Sequence, residues 1–274
     1  MTCRLGFVLL IVCMAISPGY ALAKKIVMVL QTSVTVTEQS VDVRLEVSNK
    51  GDEDAFAVTP FLELAGVEAG LEEAPDIAFN GGRIWTHSFP VSDLLVNETG
   101  TYPLVVRLRY HDAYMYPYSM VSVASVRIGE NLPVNVPLSG EMAAGQVSGE
   151  GTLDLQVRNT GVSSLEARLT MISPDGLIVT GGAGTLNIPA GEEKQISYIM
   201  KNNGSLPGSN HNVYALVEYS ADGQHGVLVL EESVAVGSDD SGKKRRLIIA
   251  SAGLIAILFF LVLFIELRTG VGTA

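Results

Sequence analysis

The chain has 274 residues, of which 47% are hydrophobic and only 17% charged, and its formal net charge is −11 at pH 7. This length and hydrophobic fraction support one or two domains with their own cores, and the 28 glycines favour strands and turns over a helical bundle. Residues 24–242 hold 12 lysine and arginine residues against 28 aspartate and glutamate residues, a net charge of −16 that argues against nucleic acid and anionic glycans as partners.

Residues 1–23 have the pattern of a signal peptide. A positive charge at Arg4 precedes an apolar run from Leu5 to Ile16, and the small residues Ala21-Leu22-Ala23 resemble a signal peptidase site. The apolar run is shorter than the roughly 20 residues that a membrane span requires. We therefore expect the mature chain to begin at Lys24.

Both cysteines, Cys3 and Cys13, lie in this predicted leader. The mature chain would then have neither disulfides nor thiolate chemistry, although it leaves the cytoplasm. Secreted eukaryotic domains of this size usually carry disulfides, so the sequence favours a bacterial or archaeal envelope protein.

The body of the chain has a period of two. Apolar and polar residues alternate without a break from Val41 to Ser48, as in a half-buried strand, and turn signals such as Pro174-Asp175-Gly176 separate the alternating segments. Short strands at this spacing predict antiparallel β-sandwiches. The other predicted strands are Tyr102–Tyr110, Met120–Ile128, Leu153–Val157, Ala167–Ile172, Ile196–Met200, Val213–Tyr219 and Val227–Val236.

The same part of the chain repeats itself. The segment Val47-Ser48-Asn49-Lys50-Gly51 matches Val157-Arg158-Asn159-Thr160-Gly161. Later, Gly82 leads into His87 and Phe89, as Gly191 leads into Ile196 and Tyr198. Each copy closes with a hairpin whose first strand ends in a tyrosine, Tyr110 or Tyr219, and whose second strand ends in a glycine, Gly129 or Gly237. We predict a sandwich domain over residues 24–131 and a second over 132–236, with the boundary in Glu130–Pro133.

A strand ending in Val-x-Asn-x-Gly, followed by a glycine turn into a strand such as Glu192–Tyr198, resembles the bacterial immunoglobulin-like modules of the CARDB and NEW3 type. The resemblance implies two tandem immunoglobulin-like antiparallel β-sandwiches that serve as non-catalytic spacers or as adhesion and carbohydrate-associated units. It carries over no fixed set of functional residues. The first copy departs from the pattern by inserting Val67–Asp76, which leaves its strand order open.

Four of the nine tyrosines lie between residues 110 and 118. If Tyr110 ends one strand and Tyr118 begins the next, alternation places Tyr114, Tyr116 and Tyr118 on one face, and Tyr114 and Met115 at the tip of the connection. One interpretation is packing, in which Tyr110 and Tyr118 cover the end of the sandwich. The other is a binding surface made of Tyr114, Met115, Tyr116 and Tyr118, favoured because the matching hairpin of the second copy, YSADGQHGV, has no such enrichment.

The C-terminal part predicts a membrane anchor. Residues 237–246 form a polar and then basic linker, and Leu247–Ile265 is an uncharged run of 19 residues, which as a helix matches the roughly 30 Å of a bilayer core. A tail, residues 266–274, follows. The basic residues of the linker, predicted to lie against lipid phosphates at the membrane surface, are Lys243, Lys244, Arg245 and Arg246.

Few residues indicate chemistry. The four histidines are too dispersed for a paired zinc motif, and the sequence has no nucleophile elbow or glycine-rich phosphate loop. Acidic clusters such as Asp52-Glu53-Asp54 are more typical of solvated loops than of a calcium site. We therefore predict no enzyme activity, no cofactor and no metal.

These observations predict a single-pass membrane protein whose bulk lies on the periplasmic or extracellular side and binds another envelope protein. From the resemblance, polysaccharide secretion or surface-layer assembly is the preferred setting. A module that binds a neutral glycan through the hairpin at 110–118 is the alternative function. A cytoplasmic, tail-anchored protein is the alternative topology, because a basic cluster outside the membrane departs from the usual excess of basic residues in the cytoplasm.

The topology is testable by fusing alkaline phosphatase after residue 240. We expect an active fusion, since the enzyme folds only on the outer side of the bacterial inner membrane. An inactive fusion together with an active cytoplasmic reporter at the same position would establish the tail-anchored topology instead.

Overall fold

The structure is a computed structural model that describes residues 25–129, 136–182 and 184–237. Apart from a short 3₁₀ helix at Val91–Asp93, the regular structure of these ranges is β-strand, which confirms the predicted all-β class. The strands are β1 Met28–Val36, β2 Ser40–Asn49, β3 Ala55–Leu64, β4 Val67–Gly70, β5 Ala74–Ile77, β6 Gly82–Pro90, β7 Gly100–His111, β8 Pro117–Ile128, β9 Leu138–Ala144, β10 Glu150–Asn159, β11 Leu165–Ile172, β12 Leu177–Thr180, β13 Thr185–Ile188, β14 Glu193–Asn202, β15 Asn210–Ala221 and β16 Gln224–Ala235.

Period-two patterning explains the strands that the sequence predicts. In β2 the side chains of Val41, Val43 and Leu45 are buried, while Asp42 and Arg44 point to solvent. The prediction omits strands whose patterns are weaker. β1 carries apolar residues on both faces, and β3 contains a proline, which is unfavourable inside a sheet because it has no N–H to donate.

Strands of two facing sheets surround each of two hydrophobic cores. In the first half, residues 25–129, the sheet β1-β2-β6 faces β3, β5, β7 and β8. In the second half, residues 136–237, the sheet β12-β14-β10-β9 faces β13-β11-β15-β16. The predicted domain boundary at Glu130–Pro133 lies outside the described residues.

The inserted segment of the first half changes its strand order. A tight turn at Ala65 and Gly66, both with positive φ, keeps β4 next to β3, and β5 also pairs with β3. In the second half β13 pairs with β11, but β12 crosses to the opposite sheet and pairs with β14. The two halves are therefore repeats of the same plan with different short strands.

The repeated Asn-x-Gly motif has a structural role. Asn49 and Asn159 are 0% exposed. The amide of Asn159 donates to the carbonyl oxygens of Ser163 and Ile188, both at 2.8 Å, and its Oδ1 accepts from the backbone N–H of Gly161 at 2.8 Å. Asn49 makes the corresponding bonds in the first half. Each asparagine thus satisfies buried backbone groups where the chain leaves the second strand of its half.

Sheet register corrects one part of the predicted repeat. Leu45 pairs with Trp85, and its counterpart Leu155 pairs with Ile196. Trp85, not His87, is therefore the counterpart of Ile196, and the predicted match was wrong by two residues. Glycine turns alone do not fix register, because a difference in turn length shifts every residue that follows.

The predicted leader at 1–23, the basic residues at 243–246, the span at 247–265 and the tail at 266–274 lie outside the described residues. Within the described ranges there is no helix with the length and apolar character needed to cross a membrane.

The two halves pack through the outer faces of their larger sheets. Side chains from β7 and β8 meet side chains from β11, β15 and β16 in a third apolar cluster. At one end of this contact Gly100 pairs with His225 in parallel register, and the ring of Tyr102 stacks on that of His225 with centroids 4.2 Å apart. Any Cβ at residue 100 would collide with the carbonyl oxygen of His225, which explains the glycine. The buried residues of the cluster are Val105, Val121, Ile172, Tyr214, Leu216 and Val227.

Replacing Asn159 with alanine should lower the free energy of unfolding by about 2 to 4 kcal/mol, because it leaves buried carbonyl groups without a donor. Chemical denaturation of the purified chain measures this change. As a control, alanine at exposed Arg158 should alter stability by less than about 0.5 kcal/mol. An Asn159→Ala variant as stable as the control would remove the structural role assigned to this motif.

Candidate functional site at the tyrosine hairpin

The hairpin between β7 and β8 carries all of the candidate binding residues. Tyr110 pairs with Tyr118 and His111 with Pro117, so residues 112–116 form the connection. This loop projects from the end of the first half nearest to the turn at Asp175 and Gly176 in the second half.

Asp112 organises the connection. Its side chain is buried, and Oδ1 accepts hydrogen bonds from the backbone N–H groups of Tyr114 at 2.8 Å and Tyr116 at 2.9 Å. The phenol of Tyr118 donates to Oδ2 at 3.3 Å. The backbone adds bonds from Met115 N to Asp112 O at 3.0 Å and from Asp112 N to Tyr116 O at 3.2 Å. One carboxylate therefore holds the loop in a single shape.

Met115 occupies a left-handed backbone conformation, with φ of 64°. Hairpins of this kind combine a turn with a left-handed residue, and that residue is usually glycine because it has no Cβ to clash. The matching hairpin of the second half instead uses the two-residue turn Asp222-Gly223, with φ of 53° and 72°. The first hairpin thus places a large apolar side chain at a position that glycine usually occupies.

The tip of the hairpin is open to solvent. The side chains of Tyr114 and Met115 are 88% and 69% exposed, whereas Tyr116 and Tyr118 are half-buried. The packing interpretation therefore does not account for Tyr114 and Met115, and these two residues form what we call the exposed tip.

The remaining tyrosines form a separate cluster. The rings of Tyr110 and Tyr118 stack with centroids 5.4 Å apart, and Tyr116 meets Tyr118 edge to face at 5.2 Å. The hydroxyl of Tyr116 donates to the carbonyl oxygen of Gly204 in the second half. Simple alternation predicted Tyr114 on the same face as Tyr116 and Tyr118, but the left-handed Met115 interrupts the alternation and turns Tyr114 to the tip.

A groove of about 430 Å³ lies beside this cluster, between the two halves. One wall is the cluster of Tyr110, Tyr116 and Tyr118, and the other is the segment 203–206 with Ser209 and His211. Sequence reasoning missed the second wall, because no local pattern indicates which loop of the second half will face the hairpin.

An ion pair fixes the two walls relative to each other. Nε and Nη2 of Arg109 donate to the carboxylate of Asp175 at 2.7 and 3.3 Å, and this contact raises the pKa of Arg109. The backbone N–H of Asp175 donates to Oγ of Ser119 at 2.7 Å, and Arg107 donates to the carbonyl oxygen of Ser173 at 3.0 Å. Several directional bonds thus hold the hairpin against the second half.

Two tyrosines and the histidine of the groove are kept neutral, whereas Arg109 and Asp175, which also line it, are paired with each other. Burial raises the pKa of Tyr110, and burial followed by the nearby Asp112 carboxylate raises the pKa of Tyr118 to about 12. Burial lowers the pKa of His211, whose Nε2 lies 2.9 Å from Oγ of Ser209. At neutral pH the groove offers apolar ring surface, hydroxyl groups and amides, which suit hydrogen bonding to an uncharged ligand.

Across the part of the chain that the structure describes, no group of three or more histidine, cysteine, aspartate or glutamate residues is placed to hold a metal ion. The exposed tip offers apolar surface, and the tyrosine cluster offers ring faces and hydroxyl groups, to a molecule that contacts the hairpin.

No family model matches the chain, and no curated protein sequence matches it. Among solved structures, the native alpha-2-macroglobulin of E. coli is similar at a TM-score of 0.31 and 10% identity, over 77% of this chain and 17% of that one. Red sea bream transglutaminase is similar at a TM-score of 0.27 and 16% identity, over 77% of this chain and 31% of that one. A Porphyromonas gingivalis W83 protein of unknown function is similar at a TM-score of 0.30 and 13% identity, over 77% of this chain and 99% of that one. Scores this low carry no functional inference, and the resemblance to CARDB and NEW3 modules stays a prediction.

Alkaline pH should destabilise the chain through Tyr118. Its pKa is raised in the folded state, so its stabilising contribution is complete below pH 10 and is lost as the pH rises from about 10 to about 12. Denaturation midpoints measured between pH 8 and 12 should fall in this window, and should fall less for Tyr118→Phe. If the denaturation midpoints of both proteins fall equally with rising pH, Tyr118 is not the group responsible.

Proposed function

We propose that this chain is a non-catalytic, membrane-anchored envelope protein, and that its first half binds a protein partner through the exposed tip. In this proposal the two halves are tandem immunoglobulin-like sandwiches held on the outer side of the membrane by the C-terminal helix. An assembly for polysaccharide secretion or a surface layer remains the preferred setting, on the resemblance to CARDB and NEW3 modules.

The observation that carries the proposal is Met115, a 69% exposed apolar side chain on a left-handed backbone. The fold gains nothing from this choice, since the side chain packs little and the backbone conformation costs about 1 to 2 kcal/mol for a residue with a Cβ. Together with Tyr114, it presents an aromatic and a thioether side chain that water solvates poorly. Residues of these types are enriched at protein interfaces and dominate their binding energy.

The same tip lies on a strongly acidic molecule. A net charge of −16 over residues 24–242 favours neutral or basic partners, because it raises their local concentration near the surface. Charge would guide the encounter, and the apolar tip would supply the affinity.

Replacing Met115 with glycine separates binding from stability. We expect the variant to be as stable as the parent chain or up to about 1 kcal/mol more stable, since glycine relieves the left-handed strain but loses more chain entropy on folding. Partner association should fall at least about tenfold. Cross-linking of the full-length protein in its membrane identifies the partner by mass spectrometry, and titration with that partner gives the affinity.

The matched control is Val162→Ser, which removes a 99% exposed apolar side chain from a loop of the second half. It should leave association unchanged. Full binding by Met115→Gly and by Tyr114→Ser would show that the exposed tip is not a docking surface.

The groove beside the tyrosine cluster favours a second candidate function, the binding of a neutral glycan. Its rings and neutral polar groups match the alternating apolar faces and hydroxyl groups of an uncharged sugar. A glycan-array signal that survives Met115→Gly but is lost in Tyr116→Ser would establish this candidate in place of the first.

A further inference from the structure

The strand β8 lies at an edge of the larger sheet of the first half. Among the described residues, β7 is the strand that pairs with β8, and it does so along the full length of the hairpin. Between Pro117 and Arg127, near the two ends of β8, the strand reads YSMVSVASV, a stretch without a charge or a further proline. Sheet edges are normally protected by such residues, because unpaired N–H and C=O groups recruit other strands.

The second half covers one end of the corresponding edge. After β9 its chain crosses over, so that Val147 runs parallel to the end of β16. Val147 N donates to Ala235 O at 2.9 Å, and Gly237 N donates to Val147 O at 2.8 Å. In the first half β1 stays on β2 as far as the pair Val36 and Val41, so this crossover is missing.

Hairpin geometry shows which backbone groups face outward. Bonds across an antiparallel pair alternate, and Asp112 N donates to Tyr116 O, so the bonded pairs of β7 and β8 are those with even residue numbers. Pro117 and Pro103, which cannot donate, fall on odd positions, as this alternation requires. The N–H and C=O groups of Val121, Val123 and Ser125 therefore point away from β7. Val121 is buried, so the accessible part of this edge is at Val123 and Ser125.

An incoming strand would meet two different surfaces. On one side lie Met120 and Ala124, which are partly buried against the first core. On the other side lies Val123, which packs against the apolar contact between the halves. Alternate side chains of an extended segment would each meet an apolar wall, which is the requirement for strand addition with some sequence preference.

We propose that the open edge of β8 binds an extended segment of a partner polypeptide that carries alternating apolar residues and a neutral or basic charge. The basic character follows from the net charge of −16, which also disfavours pairing of two copies of this chain edge to edge. The segment would begin beside Tyr118, so this inference rests on the proposed interaction function and extends its surface along β8.

A synthetic peptide of about ten alternating valine and threonine residues, with two lysines at each end, serves as the probe. Bound to the full-length protein in detergent, it should slow amide hydrogen exchange at Val123 and Ser125 by at least about tenfold. Exchange at Met120 and Ser122, whose amides already bond to β7, should change little.

Ser125→Pro should weaken peptide binding at least about tenfold, because it removes an outward N–H without breaking a bond to β7. Ser125→Ala is the matched control and should bind like the parent chain. If the proline variant does not fold, Ser125→Lys replaces it and should weaken binding by repelling the basic peptide.

Unchanged exchange at the amides of Val123 and Ser125, or equal peptide affinity in the Pro and Ala variants, would overturn the proposal. So would self-association of the parent chain that Ser125→Pro abolishes, since the edge would then bind a second copy. The tip proposal fails separately, if Met115→Gly binds the protein partner as tightly as the parent chain does. The edge of β8 is unaltered in that variant, so the two failures are distinguishable.

Discussion

The contact between the two halves decides the shape of everything that surrounds the hairpin. Val105 and Val121 of the first half pack on Leu216 and Val227 of the second, and the ion pair of Arg109 with Asp175 sets the rotation between them. Apolar burial supplies the attraction but is not directional. The two hydrogen bonds from an arginine to a carboxylate are directional, so they set the angle between the halves. Because this pair lies beside the tyrosine cluster, the groove has fixed walls and the exposed tip has a fixed direction.

The hairpin itself combines a strained position with a strong local restraint. Met115 alone would favour a different turn, but the carboxylate of Asp112 accepts two backbone bonds and a phenol and so determines the loop. Strain that is retained by a dedicated network, and that points an apolar side chain at solvent, is typical of binding surfaces. The second half has the ordinary Asp-Gly turn at the same place and presents no such side chain.

The two halves show how a repeat diverges while keeping its fold. Both retain the buried asparagine that closes the second strand, since losing it would orphan carbonyl groups in the core. They differ at the edges, where pairing is optional for stability: β12 and the Val147 crossover cover edge positions of the second half, and the described part of the first half has neither. Features proposed for binding, the exposed tip and the edge of β8, both lie in this less protected half.

Local sequence was enough to predict the strands with clean alternation, such as β2 and β10, the repeated Asn-x-Gly motif, and the unusual composition of the hairpin. These are local properties, because side-chain period and turn chemistry act over a few residues. Three features could be read only from the folded chain: Tyr114 separates from Tyr116 and Tyr118, residues 203–206 face the hairpin, and Trp85 is the counterpart of Ile196. Each of these depends on a left-handed residue, a docking angle or a sheet register, which arise from contacts between residues far apart in the chain and leave no periodic signal within it.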